Sequence, residues 1–246
     1  MDTSYIWHLL YLHRKKSIAV GLLLTLLIPD LRAQSSMRYR RTHLEDYEDR
    51  TIRYGFLFAA PITRFNIKYS DAYVNADSAY QLYSPNKAGF RVGFILNTIM
   101  SERFDIRVTP AVSLYSRSVE SRYPGGATKS EVRESTWVDF PVLLKYKSKR
   151  RRNSRMYMVG GASLGLETNV RRREVAGSSR LLTKNKDLAV EYGIGFEQFF
   201  EFFKFAPEIR FSHGLVNLFE PVQGNTANIG LQKLRTHTVT LYLNFE

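Results

Sequence analysis

The sequence predicts an all-β protein: an eight-stranded antiparallel up-and-down transmembrane β-barrel with long outer loops and short periplasmic turns. Three observations predict it. Apolar residues recur at a period of two in segment after segment, which separates two faces on a strand and would mix them on a helix. The connections between those segments alternate strictly between long and short. The face opposite the apolar one mixes glycines with charges of both signs, which suits a narrow interior where charges pair and glycines relieve crowding.

Composition narrows the chemistry. The chain has 246 residues, a formal net charge of +13, 16 Phe, 15 Tyr and no cysteine. Without cysteine there is no disulfide framework, thiolate metal site, Fe–S cluster, thiol catalysis or Cys-linked lipid anchor. The charge calls for a polyanionic partner, and the aromatic excess suits strands and the headgroup level of a membrane.

Residues 1–33 have the order of a secretory signal peptide. Arg14, Lys15 and Lys16 precede an apolar run from Ser17 to Ile28, then Pro29 and a small residue, Ala33, at the expected cleavage point. The run is about a dozen residues, and a spanning helix needs ~20; an uncleaved anchor is the alternative. Cleavage removes four basic and two acidic residues and leaves a mature charge of +11. Residues 34–52 are polar and charged and are assigned to a periplasmic N-terminal arm. Residues 53–246 are assigned to an outer-membrane barrel with both termini in the periplasm.

The strands follow in order. Arg53–Tyr69 places Tyr54, Phe56 and Phe58 on one parity and Phe65, Ile67 and Tyr69 on the other, so a bulge is expected near Pro61. Phe90, Val92, Phe94 and Leu96 alternate with Gly89, Arg91, Gly93 and Asn97. Phe104 to Leu114 alternates cleanly, with Asp105 and Arg107 on the polar side. Val138 to Tyr146 alternates with Asp139 and Lys145, and Met156 to Leu166 with Gly165 and Glu167. Leu188 to Phe196 alternates with Glu191 and Glu197, and Phe203 to Phe211 with Glu208 and Arg210. Val239, Leu241, Leu243 and Phe245 close the chain against Thr238, Thr240, Tyr242 and Asn244. Pro110, Pro141 and Pro207 lie inside strands and predict bulges or weak pairing. Long connections fall at about 70–87, 118–130, 169–186 and 214–233, and short ones near 99–102, 147–153 and 199–202.

Period alone does not say which face points inward. The aromatic excess, the leader and the loop asymmetry favour apolar-out, whereas a lipocalin-like soluble carrier would be apolar-in. With the polar face inside, Arg91, Asp105, Arg107, Asp139, Lys145, Glu167, Glu191, Glu197, Glu208 and Arg210 form a lumenal charge network. Lys147, Lys149, Arg150, Arg151 and Arg152 fall in a periplasmic turn and form a possible docking patch for an acidic partner or inner-leaflet headgroups; a solvated turn is the alternative. Arg171, Arg172 and Arg173 lie in an outer loop near lipopolysaccharide phosphates. Ser212 and His213 are adjacent, so on a strand they point to opposite faces and do not make a nucleophile–base pair. His43 and His237 stand alone and suggest no metal site. No catalytic residue, cofactor, metal, nucleic acid or small-molecule substrate is expected.

The segment Glu134-Ser-Thr-Trp-Val-Asp-Phe-Pro-Val-Leu-Leu-Lys-Tyr-Lys-Ser-Lys-Arg150 resembles a signature of the PorT family. Tyr192-Gly-Ile-Gly-Phe196 and Phe203-Lys-Phe-Ala-Pro-Glu-Ile-Arg210 are similar to that family's later strands, and the resemblance spans roughly residues 50–246. The Phe-Pro-x-Leu-Leu-Lys-Tyr core is shared more widely among outer-membrane barrels of the Bacteroidota. The resemblance implies an integral outer-membrane component of the type IX secretion system, with other components of that system as partners and no catalytic residues. An eight-stranded barrel is too narrow for folded cargo, so the implied role is accessory, assembly or scaffold rather than the pore. The other functions the sequence allows are a barrel that binds an extracellular ligand or surface through its long loops, and a barrel hydrolase using Ser212 and His213.

Overall fold

Eight antiparallel segments pair in a closed ring. The computed structural model describes residues 42–75, 81–123, 128–168, 183–220 and 230–246, and residues 42–246 form one compact unit. The expected leader, the start of the arm and Arg171–Arg173 lie outside the described residues.

The strands are β1 (Ile52–Tyr69), β2 (Gln81–Tyr83), β3 (Lys87–Ala88), β4 (Phe90–Ile99), β5 (Phe104–Val108), β6 (Ala111–Arg122), β7 (Thr128–Lys147), β8 (Ser154–Glu167), β9 (Lys186–Phe199), β10 (Lys204–Gly214) and β11 (Leu231–Phe245). A short 3-10 helix, Glu45–Tyr47, precedes β1, and a one-turn helix, α1 (Asp71–Asn75), follows it. β3 and β4 hold one register against β1: Ile62 faces Ala88 and Ala59 faces Arg91. β5 and β6 hold one register against β7: Val108 faces Val142 and Ala111 faces Asp139. Each of those pairs is therefore one barrel strand. The ring closes where β1 pairs with β11, from Phe56 opposite Phe245 to Tyr69 opposite Leu231.

Proline explains the interruptions, and the expected bulges are absent. Gly89 donates its N–H to the Pro61 carbonyl at 2.7 Å, but Pro61 has no N–H to return, so β3 and β4 part there while the register holds. Phe94 donates to the Pro110 carbonyl at 3.0 Å and Thr109 to the Pro141 carbonyl at 3.2 Å, each again without reciprocation. At Pro207 the β9–β10 ladder lapses between Phe205–Gln198 and Glu208–Gly195 without a shift. Each proline costs a ladder bond rather than inserting a residue. The β1–β11 register slips only at Lys68/Tyr69.

The parity change expected near Pro61 is likewise absent. Arg53, Leu57, Ala59, Thr63 and Phe65 are all buried on one face. Phe65 points inward because the loop end of the lumen is apolar. There it packs with Leu82, Val119, Leu218, Phe219, Leu231 and Leu234. The 118–130 connection is also shorter than expected. β6 and β7 stay paired to Arg122 opposite Thr128, forming a hairpin at the loop end to which β2 adds.

Polarity is inverted relative to a soluble barrel. Buried positions carry Arg91, Asp105, Arg107, Lys145, Glu197, Glu208 and Arg210, while Tyr54, Phe94, Met156, Ile194 and Leu241 are exposed on the outer wall. On β1 the outward residues are apolar from Ile52 to Ile62. Ten steps of ~3.3 Å at the usual tilt give a band of about 25 Å, the height of a membrane barrel's apolar belt. Phe56, Phe203, Phe205 and Phe245 cluster at the turn end of that belt, Phe56 stacking on Phe245 at 5.2 Å.

Candidate functional site

The inward side chains form two ion-pair groups along the lumen. Period two places them there: each sits between two outward residues on its strand, so the ladder itself aims it at the axis.

The group at the turn end centres on Glu197 of β9. Its carboxylate accepts from Lys145 of β7, from Arg155 of β8 and, at 2.9 Å, from Lys204 of β10. Lys204 also reaches Glu246 at 2.7 Å, and Arg107 bridges Glu246 at 3.0 Å and Glu208 at 3.1 Å. Asp105 takes Lys147 at 2.6 Å, with Arg53 at 3.7 Å. Arg210 pairs with Glu208 at 2.5 Å and Glu191 at 3.0 Å. Tyr157 donates to Glu208 at 2.8 Å and presents its ring to Lys145 and Arg107. Gly195 makes room for this ring: a Cβ there would lie 2.3 Å from it.

The second group lies nearer the loops. Arg91 pairs with Asp139 at 2.6 Å and bonds Ser113, Tyr115 and Tyr242. Arg210 lies 4.1 Å over the Tyr242 ring, so Tyr242 joins the two groups. Beyond it, Arg117 donates to Thr63 at 3.0 Å and lies over the rings of Tyr115, Trp137 and Phe65. A cavity of about 30 Å³, about the space one water occupies, is lined by Arg91, Arg117, Asp139, Asp187 and Ser212 among others.

Arg107, Lys145, Glu197 and Lys204 have no exposed side-chain surface. A water-filled channel would have to pass them and would expose them. The arrangement is a packed plug of opposed charges: it balances desolvated ions and holds the wall in one geometry. Among the described residues no group of His, Asp or Glu side chains converges as metal ligands.

The N-terminal segment completes the plug. Tyr47 enters from the turn side, accepts from Lys204 at 2.5 Å, donates to Glu246 at 2.6 Å, and packs edge-on against Phe199 at 5.6 Å. Burial, with the Glu246 and Glu197 carboxylates beside it, pushes the Tyr47 phenol far above its ordinary value, so it stays a donor. Glu48 pairs with Arg155 at 2.7 Å. Residues 42–51 are thus docked on the barrel.

Of the residues expected in the lumenal network, Arg91 and Asp139 meet in one group. Asp105, Arg107, Lys145, Glu191, Glu197, Glu208 and Arg210 meet in the other. Glu167 is buried at the loop end of β8, opposite Trp137. Lys147 is a correction: it belongs to the lumen, not to the turn patch, because it shares Lys145's parity on β7 and bonds Asp105. Arg150 is half-buried; its guanidinium bonds the His43 and Leu44 carbonyls and lies 3.8 Å over Phe199. Lys149, Arg151 and Arg152 are exposed. Ser212 faces the internal cavity, while His213 faces outward, 3.0 Å from the Tyr192 hydroxyl. His237 does not stand alone: its Nδ1 lies 2.9 Å from that of His213, its cross-strand neighbour.

Arg53, Arg155, Lys204 and Glu246 are network members that the sequence pattern missed. Lys204 and Glu246 share the parity of Arg210 and Asn244, so a longer run of the period would have found them. Arg53 has the parity opposite Tyr54, Phe56 and Phe58, so the period on β1 would have placed it inside as well. Tyr47 lies outside any strand and has no periodic signal.

A closed barrel with an apolar outer belt and an ion-paired interior is a membrane-spanning β-barrel. The chain belongs to the outer membrane protein beta-barrel domain family, whose model matches residues 32–220. It is an outer-membrane protein. Among solved structures it is similar to the outer membrane protein OprG from Pseudomonas aeruginosa, with a TM-score of 0.46 and 12% identity over 79% of this chain and 92% of that one. It is also similar to the N-terminal beta-barrel domain of Pseudomonas aeruginosa OprF, with a TM-score of 0.35 and 10% identity over 77% of this chain and 96% of that one. No curated protein matches the chain.

Proposed function

We propose that this chain is a non-enzymatic component of type IX secretion, acting in assembly or scaffolding of the machinery and not as its pore. The observation that carries the reading is the filled lumen: Arg107, Lys145, Glu197 and Lys204 are wholly buried across its width, leaving no passage for cargo. The secretion system is inferred from the resemblance of Glu134–Arg150 to the PorT signature. That segment forms the wall strand β7 and the turn after it.

In this reading the leader is cleaved near Ala33, both ends of the mature chain face the periplasm, and other components of the system dock on the turn side. Exposed Lys149, Arg151 and Arg152 offer them a basic surface. A clean deletion then blocks export of cargo bearing a C-terminal sorting domain while other outer-membrane proteins assemble normally. Normal export in the deletion strain would sink the proposal. Lys149→Gln/Arg151→Gln/Arg152→Gln tests the docking surface, with export as the readout and heat-modifiable gel migration as the folding control.

A second reading, an outer-membrane barrel that binds an extracellular ligand or surface, is favoured by the β6–β7 hairpin and its added strand β2 at the loop end. Trimming that hairpin should then abolish function, whereas the secretion reading expects export to persist.

A further inference from the structure

The outward face carries a basic stripe just above the apolar belt on β1 and β11. On β1 the last outward apolar residue is Ile62, and on β11 it is Val239, directly opposite. The next outward positions are Arg64 opposite His237, then Asn66 opposite Arg235, then Lys68 opposite Lys233. Arg64, Lys68, Lys233 and Arg235 are all exposed, and no carboxylate among the described residues pairs with any of them. His213 of β10 extends the row beyond His237. At the loop ends of β6 and β7 the corresponding outward positions hold Ser116 opposite Glu134, and Thr136. The basic row is therefore interrupted at that height on β6 and β7, while exposed Lys186 adds a further cation at the loop end of β9.

Two features point to an anionic ligand. Like charges directly opposite on adjacent strands repel, so Lys68 facing Lys233 costs the free barrel stability that an anion between them would return. The stripe also begins where the apolar belt ends, so a ligand seated on it has its phosphates at the basic residues and its acyl chains on Ile62, Val239 and Phe58. A guanidinium forks onto phosphate oxygens, and exposed lysines add point charges.

We infer that this stripe binds a phosphorylated glycolipid of the outer leaflet through its phosphates. The inference rests on the membrane reading in one respect, that the loop end faces the outer leaflet.

The test uses the protein in dodecylmaltoside micelles, with bound lipid read by native mass spectrometry. The probes are diphosphoryl lipid A, the same lipid without its phosphates, and phosphatidylglycerol. Diphosphoryl lipid A is expected to be retained, and Arg64→Gln/Lys68→Gln/Lys233→Gln/Arg235→Gln to weaken it at least about tenfold. Lys149→Gln/Arg151→Gln/Arg152→Gln, at the other end, should leave retention unchanged. Lys68→Gln/Lys233→Gln should weaken retention while the lipid-free barrel becomes at least as heat-resistant as wild type, because the facing like charges are gone; that separates ligand loss from misfolding. Undiminished retention by the fourfold variant overturns the inference, as does equal retention of the phosphate-free lipid or of phosphatidylglycerol. Orientation is checked with Ser130→Cys and Arg151→Cys in this cysteine-free chain, using a bulky maleimide on intact cells. Labelling only at position 151 would overturn both the orientation and the inference. Normal export in a deletion strain would remove the secretion role and leave the lipid site standing.

Discussion

Glu197→Gln is the sharpest test of the lumenal plug. The Glu197 carboxylate receives Lys145, Arg155 and Lys204, and its own side chain is fully buried. Gln is nearly isosteric, so the substitution makes no cavity; it removes the one negative charge on which three cations converge. Leaving buried charges uncompensated costs about 3–5 kcal/mol. Glu246 still holds Lys204 and Glu48 still holds Arg155, so Lys145 bears most of the loss. The lower end of the range, about 3 kcal/mol, is therefore expected. With a urea slope of about 1–3 kcal/mol per molar, the midpoint falls by roughly 1–3 M. The assay is urea unfolding of the barrel in lipid vesicles, followed by heat-modifiable gel migration and by the fluorescence of Trp137, buried in the lumen. Adding Lys145→Met to Glu197→Gln should recover part of the loss, because it removes the stranded cation. A midpoint for Glu197→Gln within about 0.3 M of wild type would refute the reasoning, since at that slope it amounts to less than about 1 kcal/mol.

Three further outcomes follow from the same geometry. Tyr47→Phe removes the hydroxyl between Lys204 and Glu246 and should cost about 1–3 kcal/mol in the same urea assay, with Tyr47→Ala costing more as the Phe199 contact is lost. Gly195→Ala drives a methyl into the Tyr157 ring and should destabilise by about 1–3 kcal/mol, read as a lower urea midpoint; Gly160→Ala, where a Cβ meets nothing within 4 Å, is the neutral control. Reconstituted in planar bilayers the wild-type barrel should show no steady ionic steps, and a stable open level would contradict the filled lumen.

Much of the site was legible because a strand aims alternate side chains to opposite faces. Parity puts Asp105, Arg107, Glu191, Glu197, Glu208 and Arg210 on the faces opposite the apolar ones, and the aromatic excess, leader and loop asymmetry turn those faces inward. The same rule failed where the lumen stops being polar. Phe65 and Ile67 look like lipid-facing residues, yet they share the parity of Arg53 and Thr63, and Phe65 packs into the apolar cluster with Leu218 and Leu234 at the loop end. Lys147 failed for another reason: it sits among turn cations, but the β7 ladder runs through it and turns it inward to Asp105. Pro110, Pro141 and Pro207 are the weak points the sequence predicts, and at Pro61 no bulge forms, because a missing donor breaks a bond without displacing the chain.

The order of polar and apolar residues along the chain was sufficient for the strand count and for which residues share a face, since each is a local consequence of period two; the inside-out polarity needed the aromatic excess and the loop asymmetry as well. That order was not sufficient for which charge meets which. Glu197 finds Lys145 across 52 positions, Arg107 finds Glu246 across 139, and Tyr47 finds Lys204 across 157. Those partners are set by the stagger of the closed ring, which fixes the height of every inward residue relative to strands distant in sequence. No local pattern encodes that stagger, so the pairing emerges only when β1 closes on β11.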